Sequence, residues 1–600
     1  MHSTSQSRCA PLIGMALAFR LLLASSTLAA PSGGPYGPVQ KKYEVPKDAA
    51  HVYYVAPDGK SEAEGGSIKE PTTLEAALEK VVTGDAVIFR GGTYRTGGLK
   101  FNQQITIQPY QDERPILKGT QVADKWENLR NGLWRIKWSP LFPSAPQDWW
   151  NRQFEMTRTP LVKFNNDMVF VDGKPLDVVS WPGEVKENSF WVDYEKSYIY
   201  IGVNPANKLV EITAFDSALT RTISEVHGKK SDGKGATIRG VTFTQYAYRA
   251  LEIEGKDPEA VSPEAEHGND VVGSIFEDCT ISHCTRVAGY FRGNHLVIRH
   301  CLVSNTGTEG IFVIGANDIL LEGNIVMRNN VRNITGYFAS AVKIWNQCYR
   351  ATCRDNLIID NPNGSCGVWY DVGEVDGMFV NNWVERTDNG FFYEISKGAT
   401  CAGNVFVDCG TGIKILNSRD VHVYQNTMVN SALWIERTPR NAVGDHFDWH
   451  PASGPDVDQR EGHVAAGNLM VGRADFRLPL LVVGQTAALR DRLTKPQLAE
   501  LDYNVYVRRT KPYGDISPIY KVPTDYQTTE QLHAAEFDAH SKTLDDYYGP
   551  LFKGEQLGRF KLLPEFSSAT SSAPLPHEVA ELLGYPEDRS TFPGAFPPTN

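Results

Sequence analysis

The sequence predicts an all-β fold, a right-handed parallel β-helix, and three observations carry that expectation. An apolar-flanked position, often filled by Asn, recurs about every 22 residues along the middle of the chain. A second apolar strand follows each recurrence with strict alternation. The composition, 41% apolar with 52 glycines and 35 prolines, suits a turn-rich globular chain with ample core.

Taken in chain order, residues 1–30 read as an address rather than as fold. Arg8 precedes an apolar stretch broken by Pro11 and Arg20, and the segment ends in the small residues Ser-Ser-Thr-Leu-Ala-Ala. A signal peptide cleaved near Ala30 is expected, which places the mature chain in the periplasm or outside the cell. A membrane anchor would need about 20 uninterrupted apolar residues, and no later segment supplies them. Residues 31–123 are expected to hold an N-terminal cap and the first coils. A β-rich module is expected over 124–215, central coils over 216–480, and closing coils, loops and a tail over 481–600. Within the tail, one short helix is expected at 577–584, followed by a loosely packed Pro-rich end.

The central repeat is the main signal. Its ladder position is Cys279, Cys301, Asn324, Asn356, Asn382, Asn404, Asn426 and Asn468, with spacings of 22, 23, 32, 26, 22, 22 and 42 residues. Stacked coils of 22 residues with longer excursions fit a solenoid in which each coil buries its face against the next. Stacked Asn side chains satisfy turn backbone groups from coil to coil. Leucine-rich repeats share the period but would show Leu-x-x-Leu-x-Leu, which is absent.

Charge excludes some functions. The full chain has 60 Lys+Arg against 71 Asp+Glu, a formal net charge of −11, and loss of the first 30 residues makes it about −13. That balance argues against a nucleic-acid or anionic-membrane binder, whose affinity comes from a basic footprint. The eight cysteines after Cys9 all lie between Cys279 and Cys409. Export permits disulfides, and Cys348 with Cys353 is one candidate pair.

The second strand of six coils reads GIFVI (310–314), AVKIW (341–345), GVWYD (367–371), GFFYE (390–394), GIKIL (412–416) and ALWIE (432–436). Side chains in a strand alternate faces. Ile311/Val313, Val342/Ile344, Val368/Tyr370, Phe391/Tyr393, Ile413/Ile415 and Leu433/Ile435 therefore point inward. The outward set is Phe312/Ile314, Lys343/Trp345, Trp369/Asp371, Phe392/Glu394, Lys414/Leu416 and Trp434/Glu436. Aromatic planes interleaved with charges suit a sugar-binding groove; the bland alternative is a secondary core under loops. The excursion before Ala341 and the loop after Arg440 would be its walls.

Asp371 and Glu394 take the same place in adjacent coils, so their carboxyls should lie about 5 Å apart. Retaining glycosidases need that separation, with one carboxylate attacking C1 and the other protonating the leaving oxygen. Two like charges so close should split their titrations. Lys343 and Lys414 flank the pair and tune it; a merely neutralised cluster is the plain alternative. Glu436, two coils beyond Glu394, offers an inverting pair instead. Trp345, Trp369, Phe392 and Trp434 are the expected stacking surfaces. In DHFDWHP (445–451), His446 and His450 are four apart with Asp445 and Asp448, a weak zinc pattern. The surrounding Gly444, Pro451 and Pro455 favour a loop with a groove-edge or structural role, from which His446 or Trp449 could reach substrate. His283, His300 and His422 read as turn or surface residues, and Glu374, Asp376 and Asp388 as turn acids.

GVWYDVGEVDGMFVNNWVERTDNGFFYEIS resembles parallel β-helix glycoside hydrolases, particularly the retaining β-xylosidases of family 120 and the related family 141. The resemblance implies Asp371 as nucleophile and Glu394 as acid/base. VYYVAPDGK…GGTYR (52–95) looks like the opening of many pectate-lyase-like proteins, with a strand and a short capping helix after Pro71–Thr73. NGLWRIKW…YIYIGV (131–203) looks like a β-rich insertion common in such hydrolases, and DYNVY (502–506) and GRFKLLPEFSSA (558–569) like closing coils. The expected function is hydrolysis of a poly- or oligosaccharide by double displacement, with no cofactor required. The competing chemistry is a polysaccharide lyase, with Lys343 as base and a calcium ion on Asp371, Glu374 and Asp376. A non-catalytic carbohydrate-binding protein is the third reading. The sugar, its linkage and the oligomeric state are not encoded in these patterns.

Overall fold

The computed structural model describes residues 34–129, 132–144, 159–258, 266–334, 339–361, 364–440, 454–489, 491–509, 533–534, 536–544, 546–557, 560–563, 575–585 and 592–596. The leader, residues 1–30, lies outside them, as does the DHFDWHP motif with His446. Three long parallel sheets of 13, 13 and 11 strands wrap one core. Each coil visits them in turn, and we call them faces one, two and three. In one coil these are Leu320–Glu322, Ile325–Met327 and Ser340–Trp345; in the next, Thr352–Arg354, Leu357–Ile359 and Cys366–Asp371. The solenoid is therefore a right-handed parallel β-helix with short strands and a corner at every turn.

The Asn ladder stands at the corner between faces one and two. The backbone N–H and side-chain amide of Asn356 both donate to Oδ1 of Asn382 at 3.0 Å, and Asn382 repeats this onto Asn404. The second amide proton of each Asn reaches a carbonyl inside the coil, as Asn382 Nδ2 does to Cys353 O at 2.9 Å. Stacking thus satisfies a buried amide with its copies above and below, at roughly 1 kcal/mol net per bond and more if a partner is removed. The residue before each ladder position takes a left-handed φ, 63° at Gly323, 56° at Asp355 and 55° at Asn381. Only Gly tolerates that freely and Asn and Asp come next, which explains the Gly-Asn, Asp-Asn and Asn-Asn pairs in the sequence. The ladder runs one coil further than expected, because the amides of Asn468 donate to Oδ1 of Asn504.

The inward set of face three is buried without exception, from Ile311 and Val313 to Leu433 and Ile435. Tyr370 keeps its hydroxyl satisfied inside the core by donating to Met378 O at 3.0 Å. At the N-terminal end, the helix Leu74–Lys80 caps the core, its own start capped by Thr73, whose hydroxyl accepts from Ala76 N–H. Between Thr120 and Thr213 the chain leaves the solenoid to build a four-stranded and a five-stranded sheet. They close on their own core of Val169, Phe190, Ile199, Ile201 and Ile212.

Two expectations are corrected. Cys348 and Cys353, like the six other cysteines among the described residues, are buried free thiols rather than a disulfide. Cys348 Sγ accepts from Ala316 N–H, and Cys353 belongs to the solenoid core, so the two thiols are committed to separate packing roles. The tail is also not loose throughout. The helix His577–Leu583 packs Val579 and Leu583 against Val380, Ala402 and Tyr424 of face one. Beyond it, Phe592, Ala595 and Phe596 are buried, with Ala595 N–H donating to Thr427 Oγ1.

Candidate functional site

Face three carries two outward rows because its strands pair in register. One row is Phe312, Lys343, Trp369, Phe392, Lys414 and Trp434; the other is Ile314, Trp345, Asp371, Glu394, Leu416 and Glu436. These strands are six residues long from Ser340–Trp345 to Ala432–Arg437, against three or four earlier, so the sheet is widest where the charged residues stand. Asp371 and Glu394 are register partners on adjacent strands. Their carboxyls leave the wall about one strand spacing apart, roughly 5 Å.

The two carboxyls have different surroundings. Lys343 Nζ donates to Asp371 Oδ2 at 2.6 Å and lies 3.1 Å from the centre of the Trp369 ring. This ammonium is held from below by a π face and from the side by a carboxylate, an arrangement favoured where water is excluded. Glu394 is 1% exposed. Burial, reinforced by the charge of Asp371, pushes its pKa from an ordinary 4.5 to about 7, against the pull of Arg440, Lys343 and Lys414. Arg440 Nη1 donates to Glu394 Oε1 at 2.7 Å. Asp371, with 14% of its side chain exposed, is the more accessible of the pair.

Trp369 and Phe392 stack at 4.8 Å and 23°, with Lys414 over Phe392 at 4.9 Å. Each ring is 5% exposed, and together with Cys366 they form a small core outside the wall. They are therefore the floor of the site and not the open stacking platforms expected of them, because the lysines sit on their faces. Trp345 and Trp434 are half-buried and flank that floor. Trp345 meets Phe312 edge-on at 6.3 Å, and Trp434 donates its indole N–H to Glu436 at 3.1 Å. Leu416 separates Glu436 from Glu394 in the row.

The other expected acids do not join them. Glu374 is fully buried at the corner after Asp371, and desolvation drives its pKa well above the ordinary range. Asp376 and Asp388 are exposed. Among the described residues no group of three His, Cys, Asp or Glu side chains is placed to hold a metal ion. His283 and His300 sit in left-handed turns, and His422 lies on face one. Arg440 escaped the sequence reading as a site residue: it sits 46 residues from Glu394, beyond its own strand, and no periodicity marks it.

Residues 226–377 and 273–428 match a family model described as a right-handed β-helix region. A structure of XylC in complex with xylose is similar over 92% of this chain and 99% of that one, with a TM-score of 0.62 and 14% identity. A glycoside hydrolase structure covers 68% of this chain and 100% of its own, at a TM-score of 0.38 and 11% identity. The pectate lyase Pel9A covers 76% of this chain and 80% of its own, at 0.35 and 12%. No curated protein sequence matches the chain. By fold, the chain is a right-handed parallel β-helix protein.

Proposed function

We propose that this protein is an exported carbohydrate-active enzyme, a glycoside hydrolase that cleaves a poly- or oligosaccharide by retaining double displacement. The observation that carries the reading is the Asp371–Glu394 pair: carboxyls one strand apart, one engaged by an ammonium and the other buried and kept protonated toward neutral pH. Separations near 5 Å belong to retaining enzymes, whereas inverting ones need about 6.5–9.5 Å for an intervening water. Asp371 attacks C1 as Glu394 gives its proton to the leaving oxygen, breaking the glycosidic bond. Glu394, then a carboxylate, takes a proton from water as the water oxygen attacks C1, and Asp371 is released. Lys343 fixes the attacking carboxylate through its 2.6 Å bond, and Arg440 orients Glu394.

The similarity to the xylose complex of XylC suggests pentose-containing glycans as first substrates to try. The lyase reading is less well supported, since the ammonium of Lys343 is committed to Asp371 and Trp369 and would have to leave both to act as a base. The experiment is a polysaccharide and oligosaccharide screen in which proton NMR records the anomer first released. Net retention, lost in Asp371→Asn and Glu394→Gln, supports the mechanism. An inverted product removes Asp371 as nucleophile, and an unsaturated product absorbing in the ultraviolet makes the enzyme a lyase.

A further inference from the structure

A second cleft opens where the inserted sheets meet the solenoid. It encloses about 480 Å³ between the corners that follow face two, at His283–Thr285, Asn305–Gly307 and Val331–Arg332, and the insert segments around Lys163 and Pro175–Val178. None of Lys343, Asp371 and Glu394 lines it: His283–Thr285 and Asn305–Gly307 belong to earlier coils, and Val331–Arg332 stands on the corner that leads into the strand of Lys343. Its volume falls within the range of small-molecule sites.

Two cations, Lys163 and Arg332, and one acid, Asp177, line it. Neither Lys163 nor Arg332 makes an ion pair among the described residues, and Nη1 of Arg332 is buried with no hydrogen-bond partner. A buried guanidinium nitrogen without an acceptor is costly, and a bound anion removes that cost. A further arginine, Arg286, lies behind it with its guanidinium 5.3 Å from the Phe164 ring, and repulsion from it adds to burial in lowering the Arg332 pKa to about 10. Two acids temper the field: Asp177, exposed at the rim, and Asp167, buried and bonded to Tyr194 and Phe142.

The remaining lining selects more than a simple ion. His283 rests edge-on against Phe170 at 5.6 Å, and burial lowers its pKa, so its ring is a neutral donor and acceptor. Pro175, Leu176 and Val178 supply an apolar wall. We propose that this cleft binds an anionic sugar, a uronate or a sulfate ester, whose negative group is received by Arg332 and Lys163. The site does not depend on the catalytic reading.

The test is isothermal titration of the full chain at low salt with glucuronate, galacturonate, glucose 6-sulfate and neutral glucose. Binding of either charged class at least tenfold tighter than glucose is expected, and the better class names the anion. Lys163→Gln lies on a half-exposed turn and should weaken that binding several-fold without changing the melting temperature. Arg332→Gln should weaken it further, and Asp371→Asn should leave it unchanged. Equal binding of charged and neutral sugars, or full binding by a folded Lys163→Gln Arg332→Gln protein, would overturn the proposal. So would loss of binding in Asp371→Asn, which would move the anion to face three. Absence of hydrolysis in the substrate screen with intact uronate binding would sink the catalytic reading alone.

Discussion

Replacing Glu394 with Gln should make the protein more stable, and increasingly so as pH rises. In the folded chain the Glu394 carboxyl is pushed up from 4.5 to about 7 by burial and by Asp371. Between those two values the folded state holds a proton that the unfolded state has released. Stability therefore falls as pH rises through that window, by about 1.4 kcal/mol per unit. The whole interval amounts to about 3 kcal/mol, fully expressed above pH 7 and absent below pH 4.5. Gln keeps the shape of the protonated side chain and removes the cost of ionising it. A chain of 600 residues unfolds with an entropy near 1.3 kcal/mol/K, so the gain is about 3 °C at pH 8 and near zero at pH 4. Thermal unfolding of both proteins from pH 4 to pH 9 measures the difference. A difference that is flat with pH, or a variant that loses ground to wild type as pH rises, would refute a carboxyl held neutral by burial.

Three other outcomes are expected. Arg440→Ala removes a cation that favours the ionised form of Glu394, so the alkaline limb of kcat/KM should move upward; with Arg440 38% exposed, an exposed-pair energy of about 0.2–1 kcal/mol limits the shift to about 0.7 pH unit. Lys343→Met leaves Asp371 without its 2.6 Å donor and should lower kcat at least tenfold while changing KM little, as steady-state kinetics will show. Asn382→Ala strands the Asn356 amides and the Cys353 carbonyl inside the wall and should cost about 3 kcal/mol, read by chemical denaturation at constant pH.

Much of the architecture was legible because a solenoid writes its geometry as a period. The Asn positions 324 to 468 repeat since each must meet the same group in the coil above, and the inward pairs from Ile311 to Ile435 alternate since the wall has one buried face. Register followed from that period, so the neighbourhood of Asp371 and Glu394 could be read by counting. The depth of each side chain could not. Trp369 and Phe392 share a row with the half-buried Trp434, and only packing against Cys366 and the two lysines turns them into a floor.

The sequence by itself determined the coil, the register and which residues face outward, because those depend on neighbours at fixed offsets along the chain. Beyond the flanking lysines, tertiary structure decided the electrostatics. Arg440 reaches Glu394 from 46 residues away, Glu374 disappears into the corner beside Asp371, and the cleft lined by Lys163 and Arg332 joins segments well over 100 residues apart. Burial and long-range ion pairing set a carboxyl's proton affinity, and neither leaves a periodic trace in the order of residues.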